Sequence, residues 1–250
     1  MDNRMELAVS SDKGQQFVKT PQELLKLTGV FEAEELAYVP QKEFHMLEKL
    51  ILYVVSKQTA KNCEKLAEAQ PKLTELWSYG FDSCHRKRYF SILIKLLRSS
   101  AMTLETIRMA NNIFPLAGPK VPVLMNVKTL IICSILRTMD VVRIMQQIDF
   151  CRVLPVVAEV EIREGWISQS AEEFRDAQDS YEHPIVFNAS ATVKKLSLEV
   201  NSLCIEDVRG LSSVFPNVQN LVAQQVDNRD HIEYQDLQAY WPRLISVSLT

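Results

Sequence analysis

The sequence has little of what catalysis and cofactor binding usually need. Its six glycines include neither the Gly-x-Gly-x-x-Gly turn of dinucleotide sites nor the Gly-x-x-x-x-Gly-Lys loop of phosphate sites. The motifs Gly-x-Ser-x-Gly and His-Glu-x-x-His are absent as well. The four histidines have no sequence partner at the spacing of a catalytic triad or a metal site. We therefore expect a protein that is not an enzyme and that binds neither a cofactor nor a metal ion.

Cysteine, net charge and long apolar runs are also scarce. The five cysteines lie far apart without a Cys-x-x-Cys pair, which argues against a zinc site and suits free thiols in a reducing compartment. A net charge of −3 gives no electrostatic reason to expect a nucleic acid. No apolar run approaches the roughly 18 residues of a membrane span, and residues 1–4 are too polar to open a signal peptide. These absences predict a cytoplasmic or nuclear protein whose partners include neither a nucleic acid nor a membrane.

What the sequence does contain is a short pattern that recurs eight times. In each copy an aliphatic residue is followed by two variable residues, a second aliphatic residue, one variable residue and a third aliphatic residue. The first positions of the eight copies are Leu47, Leu73, Leu104, Val127, Val157, Val193, Val218 and Leu244. They are 23 to 36 residues apart, and the third place is filled by Ser78 in the second copy and by Ala223 in the seventh.

Proline and helix-like stretches mark the connections between the copies. Proline stands two positions before the first aliphatic residue in four copies, at Pro71, Pro155, Pro216 and Pro242. Because proline cannot continue a helix and favours extended backbone before it, this place suits a helix-to-strand junction. The helical periodicity predicts helices over residues 57–70, 86–99, 138–148, 171–179, 205–214 and 230–240. Each unit is then a strand, a loop and a helix that bury one interior, and neighbouring units must stack to cover it.

This pattern resembles the leucine-rich repeat family, whose repeats are about 20–29 residues long. The resemblance covers residues 44–250 and is greatest to the irregular intracellular type found in F-box-associated and ribonuclease-inhibitor-like proteins. The asparagine that the family carries three residues after the last aliphatic residue is matched only by Asn112 and Asn201. The resemblance implies an α/β solenoid, or horseshoe, of about eight to ten repeats with a parallel concave sheet and convex helices. The alternative is a generic α/β domain with short buried strands.

Residues 1–43 are less regular, and we predict that they form irregular repeats continuous with the solenoid in one domain. The residues Met5, Leu7 and Val9 alternate as a strand would. Leu24 and Leu27 can begin a further unit, or residues 21–27 can form a helix that starts at a proline. Residues 20–25 also resemble the opening of an F-box.

The register predicts which side chains line the exposed face of the sheet. We select Tyr53, Trp77, Tyr79, Arg108, Glu161 and Arg163 as protein-binding residues. The other side chains expected on this face are Ile51, Glu105, Ile131, Cys133, Lys195, Glu199, Val222 and Gln224. Neighbouring strands should bring the three aromatic residues together with Arg108 beside them, and Trp, Tyr and Arg are enriched at interface hot spots. The alternative is that one or more of these aromatic side chains pack under the N-terminal segment as core.

Function follows at this stage from the resemblance. It implies a protein partner on the concave face. F-box-associated relatives imply the substrate-recognition part of a ubiquitin-ligase adaptor, with ligase scaffold subunits as further partners. Ribonuclease-inhibitor-like relatives imply a regulatory or inhibitory protein, although such repeats carry many cysteines. An enzyme with an unrecognised site is the third alternative.

Overall fold

The computed structural model describes residues 47–54, 57–81, 86–110, 114–134, 138–164, 189–227 and 232–249. They form an α/β fold around one sheet of eight strands. The strands are β1 (Lys49–Val54), β2 (Glu75–Phe81), β3 (Thr106–Ala110), β4 (Thr129–Ser134), β5 (Glu159–Glu164), β6 (Lys195–Ser202), β7 (Asn220–Asp227) and β8 (Ser246–Leu249). The helices are α1 (Lys57–Glu68), α2 (Arg86–Ser99), α3 (Phe114–Ala117), α4 (Thr138–Met145), α5 (Phe150–Val153), α6 (Ile205–Val214) and α7 (Tyr234–Tyr240).

The strands follow one another across the sheet in sequence order, and every neighbouring pair is parallel. The second aliphatic residues of the eight copies form one continuous row: Leu50, Leu76, Ile107, Leu130, Val160, Leu196, Leu221 and Val247. The prediction that the triplets lie on successive adjacent strands is therefore confirmed.

A hydrogen-bond pattern repeats just before every strand after the first. The carbonyl oxygen of the residue that follows the first aliphatic position accepts bonds from two consecutive backbone N–H groups of the next unit. The Glu48 oxygen, for example, lies 2.7 Å from the nitrogen of Thr74 and 3.1 Å from that of Glu75. The other acceptors are Thr74, Glu105, Lys128, Ala158, Lys194 and Gln219. One register thus holds for the aliphatic triplets although the units differ in length, because extra residues lie in the connections. Along the described strands it is interrupted only at the ends of β1 and β2, where Leu52 pairs with Ser78 but Val54 pairs with Phe81.

The core lies between the sheet and the helices. The first aliphatic residue of every copy is buried, and the aliphatic triplets of the first seven copies join the inner sides of the helices in one cluster of buried residues. In the eighth copy Val247 is only partly buried and Leu249 is 42% exposed, so the prediction that this triplet fills the core is wrong for Leu249. In five copies a further buried position lies three residues before the first aliphatic residue, and the aliphatic pattern did not predict it. Its occupants include Leu124, Leu154, Phe215 and Trp241. Pro155, Pro216 and Pro242 directly follow the last three of these and turn the chain from the helix towards the strand.

Ser78, the polar exception in the triplets, is 1% exposed. Its hydroxyl is hydrogen-bonded to the hydroxyl of Tyr89, a fully buried residue of α2. A buried hydroxyl without a partner would cost about 1–3 kcal/mol. The tyrosine therefore explains how serine is accommodated at a place that the other copies fill with an apolar side chain.

The long helices agree with the sequence prediction to within a few residues. α2 and α6 have the predicted bounds, α4 ends at Met145 and not at residue 148, and α7 begins at Tyr234 and not at residue 230. The four-residue helices α3 and α5 were not predicted, because one turn is too short to show a periodicity. The predicted helix over 171–179 and all predictions for residues 1–43, including the F-box resemblance, lie outside the described residues.

Helices α4 and α6 approach each other closely at a glycine. A Cβ atom added at Gly210 would lie 2.8 Å from Cγ1 of Val142, which is inside normal contact distance. The amide nitrogen of Gln146 also lies 3.4 Å from the hydroxyl of Ser213 across this contact. The absence of a side chain at residue 210 thus sets how near the two helices lie.

We expect Gly210→Ala to lower the free energy of unfolding by about 1–2 kcal/mol. Overpacking costs roughly 1–3 kcal/mol, and the better helix propensity of alanine returns up to about 1 kcal/mol. Urea denaturation of Gly210→Ala, Val142→Ala and the double variant should give a double-mutant cycle in which the two costs do not add, because the valine truncation makes room for the new methyl group. Additive costs would show that the two side chains do not meet.

Candidate protein-binding surface

The alternation of side chains along each strand places every second residue opposite the core. We call this side of the sheet the open face. Its described side chains are those of Lys49, Glu75, Trp77, Thr106, Arg108, Thr129, Ile131, Cys133, Glu159, Glu161, Arg163, Lys195, Ser197, Glu199, Asn201, Asn220, Val222, Gln224, Ser246 and Ser248. The middle row runs from Trp77 through Arg108 and Ile131 to Glu161, because these four residues pair in register on β2 to β5.

Trp77 and Arg108 form a stacked pair on adjacent strands. The guanidinium carbon of Arg108 lies 4.8 Å from the centroid of the Trp77 ring, a cation–π geometry. The indole N–H of Trp77 donates to a carboxylate oxygen of Glu75. The other oxygen of that carboxylate is 2.9 Å from the ammonium nitrogen of Lys49 on β1. Contacts from three strands therefore fix the orientation of the half-buried indole.

Glu161 and Arg163 form an ion pair within β5. The Nε–H group of Arg163 donates to Glu161 and also lies 3.6 Å from a carboxylate oxygen of Glu199 on β6. The hydrogen bond to Glu161 raises the pKa of the Arg163 guanidinium above its usual range, and the charge of Glu199 adds to the effect. Lys195 and Glu159 form a second pair between the same strands, with 2.5 Å between nitrogen and oxygen. These charges are thus held in fixed positions.

No protein-family model matches this chain, and no curated protein is significantly similar to it. Its function is therefore inferred from the repeat pattern and from the geometry of the open face. Among the described residues, no helix has both the length and the apolar character that crossing a membrane requires. The same residues contain no group of three or more His, Cys, Asp or Glu side chains arranged to hold a metal ion.

The prediction that Cys133 is exposed is wrong, because its exposed fraction is 1%. The strand alternation does place the thiol on the open face, where its sulfur accepts a hydrogen bond from Nε of Arg108 at 3.3 Å. Arg163 is its neighbour in register on the other side. The two long arginine side chains account for the burial, since a small residue between them is shielded from water.

The structure brings the predicted residues together as two pairs. Trp77 contacts Arg108, and Glu161 contacts Arg163, with the single strand β4 between the pairs. The remaining two, Tyr53 and Tyr79, belong to β1 and β2, but their side chains and that of Ile51 lie outside the described part of the structure. The other predicted outward residues are exposed or partly exposed: Glu105, Ile131, Lys195, Glu199, Val222 and Gln224.

Three charged members of the open face were missed by the sequence prediction. Lys49, Glu75 and Glu159 each occupy the first residue of a strand and each takes part in an ion pair. The signal was present in the sequence, because each lies directly before the second aliphatic residue of its copy. Extending the outward alternation by one step towards the start of each strand would have included them.

The buried thiol of Cys63 lies in α1 and does not belong to the open face. Burial raises its pKa to about 12, with a smaller effect from the charge of Glu64. The thiol is therefore neutral at physiological pH and is not activated as a nucleophile. Next to it, both oxygens of Glu64 accept hydrogen bonds at 2.5 Å from Arg88, which joins α1 to α2.

Proposed function

We propose that this chain is a leucine-rich-repeat solenoid, a horseshoe with a concave parallel sheet, and that it binds a protein partner through the open face without catalysing a reaction. The observation that carries the proposal is the continuous row from Trp77 and Arg108 through Ile131 to Glu161. The hydrogen-bond pattern that recurs between all consecutive units supports a repeat architecture, in which each unit is stabilised mainly by its neighbours.

The composition of the open face favours a protein as the partner. Hot spots of protein interfaces are rich in tryptophan and arginine, and here the two side chains are already stacked. The face carries charges of both signs in similar number, whereas a nucleic-acid site would need a clear excess of positive charge. Side chains that are already ordered in the free protein lose less conformational entropy when the partner binds.

The size of the open face also suits such a partner. Eight strands at about 4.8 Å spacing span roughly 34 Å, and six residues per strand at about 3.3 Å add a height of roughly 20 Å. The resulting area is close to the approximately 800 Å² that each partner buries in an interface of standard size.

We further propose that the captured protein is a substrate and that the chain serves as the recognition part of a ubiquitin-ligase adaptor. Support for this step comes from the resemblance to F-box-associated repeats. The partners would then be the substrate on the concave face and the scaffold subunits of the ligase. Affinity purification of the tagged chain from its native cells tests this role, since it should recover ligase scaffold subunits in stoichiometric amounts. A stoichiometric enzyme without ligase subunits would instead indicate an inhibitor of the ribonuclease-inhibitor type.

Replacing Trp77 by alanine is expected to weaken binding of the recovered partner at least 10-fold, because truncating a hot-spot residue costs about 2 kcal/mol or more. Titration of the purified partner with the wild-type chain and the variant measures this loss. Met102→Ala is the matched control, since Met102 is 68% exposed in a turn away from the open face. An unchanged affinity for Trp77→Ala, or an equal loss for both variants, would contradict the proposed site. Loss of the circular-dichroism signal would instead identify Trp77 as core.

A further inference from the structure

The charges on the open face are unevenly distributed across the sheet. On β1 to β3 the cations Lys49 and Arg108 outnumber the carboxylate of Glu75. β4 contributes no charge. On β5 and β6 three carboxylates face two cations, and these residues are Glu159, Glu161, Glu199, Arg163 and Lys195. The open face is therefore net positive on β1 to β3 and net negative on β5 and β6, with the uncharged strand β4 between them and the uncharged strands β7 and β8 beyond. We call the two charged regions the positive end and the negative end.

The negative end remains net negative after the ion pairs within it are taken into account. A single guanidinium, that of Arg163, serves the carboxylates of both Glu161 and Glu199. The side chain of Glu199 is 44% exposed, so solvent or a partner can reach its charge. A basic group brought to this end would therefore meet unneutralised negative charge.

From this polarity, and resting on the function proposed above, we infer that the partner is a peptide segment with one acidic and one basic residue. The acidic side chain would lie over Arg108 and the basic side chain over Glu161 and Glu199, with an apolar residue on Ile131 between them. Complementary charges fix the orientation of a bound partner, and like charges placed together exclude others. A segment of one sign only would gain at one end of the face and be repelled at the other.

The register of the sheet sets the distance between the two charges. Arg108 and Glu161 lie in one row two strands apart, and Glu199 is on the next strand. At about 4.8 Å per strand, the partner's two charges should be roughly 10–14 Å apart. An extended peptide covers about 13 Å in four residues at about 3.3 Å each, and this even spacing keeps both charged side chains on the side that faces the sheet. A helix covers the shorter distance in about seven residues, which are two helical turns and bring both side chains to the same face of the helix.

A displayed library of random 12-residue peptides, selected on the immobilised full chain and in parallel on its Trp77→Ala variant, tests the inference. We expect peptides that depend on Trp77 and carry an acidic and a basic residue at one of these spacings. Enrichment that depends on Trp77 but selects one charge sign, or apolar residues alone, would overturn the charge inference and leave the binding face in place. No enrichment that depends on Trp77 would overturn both the inference and the proposed function.

Charge reversal at Glu199 then tests the predicted contact directly. For a synthetic peptide of the enriched type, Glu199→Lys should weaken binding at least 10-fold, and exchanging the basic residue of the peptide for glutamate should restore it. Glu68→Lys is the matched control, because it makes the same charge change at an exposed residue of α1, and it should alter binding less than 2-fold. Circular dichroism verifies that both variants are folded. Failure of the exchanged peptide to recover binding would refute the assignment of the basic residue to Glu199.

Discussion

Leu130→Ala is expected to lower the free energy of unfolding by about 2–5 kcal/mol, the usual cost of removing a buried leucine side chain. Leu130 is fully buried at the centre of the sheet, between Ile107 on β3 and Val160 on β5. Both flanking strands are held by the repeated backbone hydrogen bonds, so the structure can collapse only partly into the cavity. Because folded domains are stable by only about 5–15 kcal/mol, this single change should remove a large part of the total.

Ile131→Ala is the matched control for this prediction. Ile131 is the next residue of β4 and loses a side chain of the same size, but it lies on the open face and is partly exposed. We expect a cost below about 1 kcal/mol, because surface substitutions seldom exceed about 0.5 kcal/mol and this residue is only half-buried. Urea denaturation followed by both fluorescence and circular dichroism measures the two costs and detects partial unfolding. Equal costs would contradict the assignment of the two faces.

The register of the sheet was predictable because one physical requirement repeats in every unit. Each strand must direct alternate apolar residues to the same interior, so Leu76, Ile107 and Leu130 occur at equivalent places in the sequence. A shift of one residue would move all of these side chains to the solvent side. The aliphatic triplets therefore determine which residues pair even though the connections vary in length.

The buried position that precedes several strands could not be predicted in the same way. It is filled by leucine in two copies, by phenylalanine in one and by tryptophan in another, at Leu124, Leu154, Phe215 and Trp241, whereas Gln70 and Ala101 at the same place in two other copies are not buried. Only its constant distance of three residues from the first aliphatic position marks it in the sequence. A search for one residue type does not detect such a position.

The candidate site was predictable as far as the direction of each side chain. Alternation placed Trp77 and Arg108 outward on adjacent strands, and the structure shows the stacked geometry that this adjacency allows. The burial of Cys133 depends in addition on the conformation of two arginine side chains, one of which comes from a residue 25 positions earlier. Sequence periodicity carries no information about side-chain conformation, so the exposure of Cys133 was predicted incorrectly.

Trp241→Ala is expected to cost about 3–5 kcal/mol, the range for truncating a buried aromatic residue. Trp241 is fully buried, and its indole N–H donates to the carbonyl oxygen of Phe215 at 2.8 Å. It thereby ties the unit of β8 to the unit of β7 through the residue at the equivalent place. Trp241→Phe keeps most of the apolar volume and removes the donor, so we expect it to cost about 1–3 kcal/mol, the cost of leaving the buried carbonyl oxygen unsatisfied.

The strands that lose hydrogen-exchange protection in Trp241→Ala distinguish a repeat array from a single cooperative core. If each unit depends mainly on its neighbours, Trp241→Ala should lower the hydrogen-exchange protection of amides in β7 and β8 and leave β2 and β3 nearly unchanged. Gln238→Ala, at an exposed residue of α7, is the control and should change neither region. A uniform loss of protection across all strands would instead indicate one cooperative domain. That result would argue against the stacked repeats on which the proposed binding surface depends.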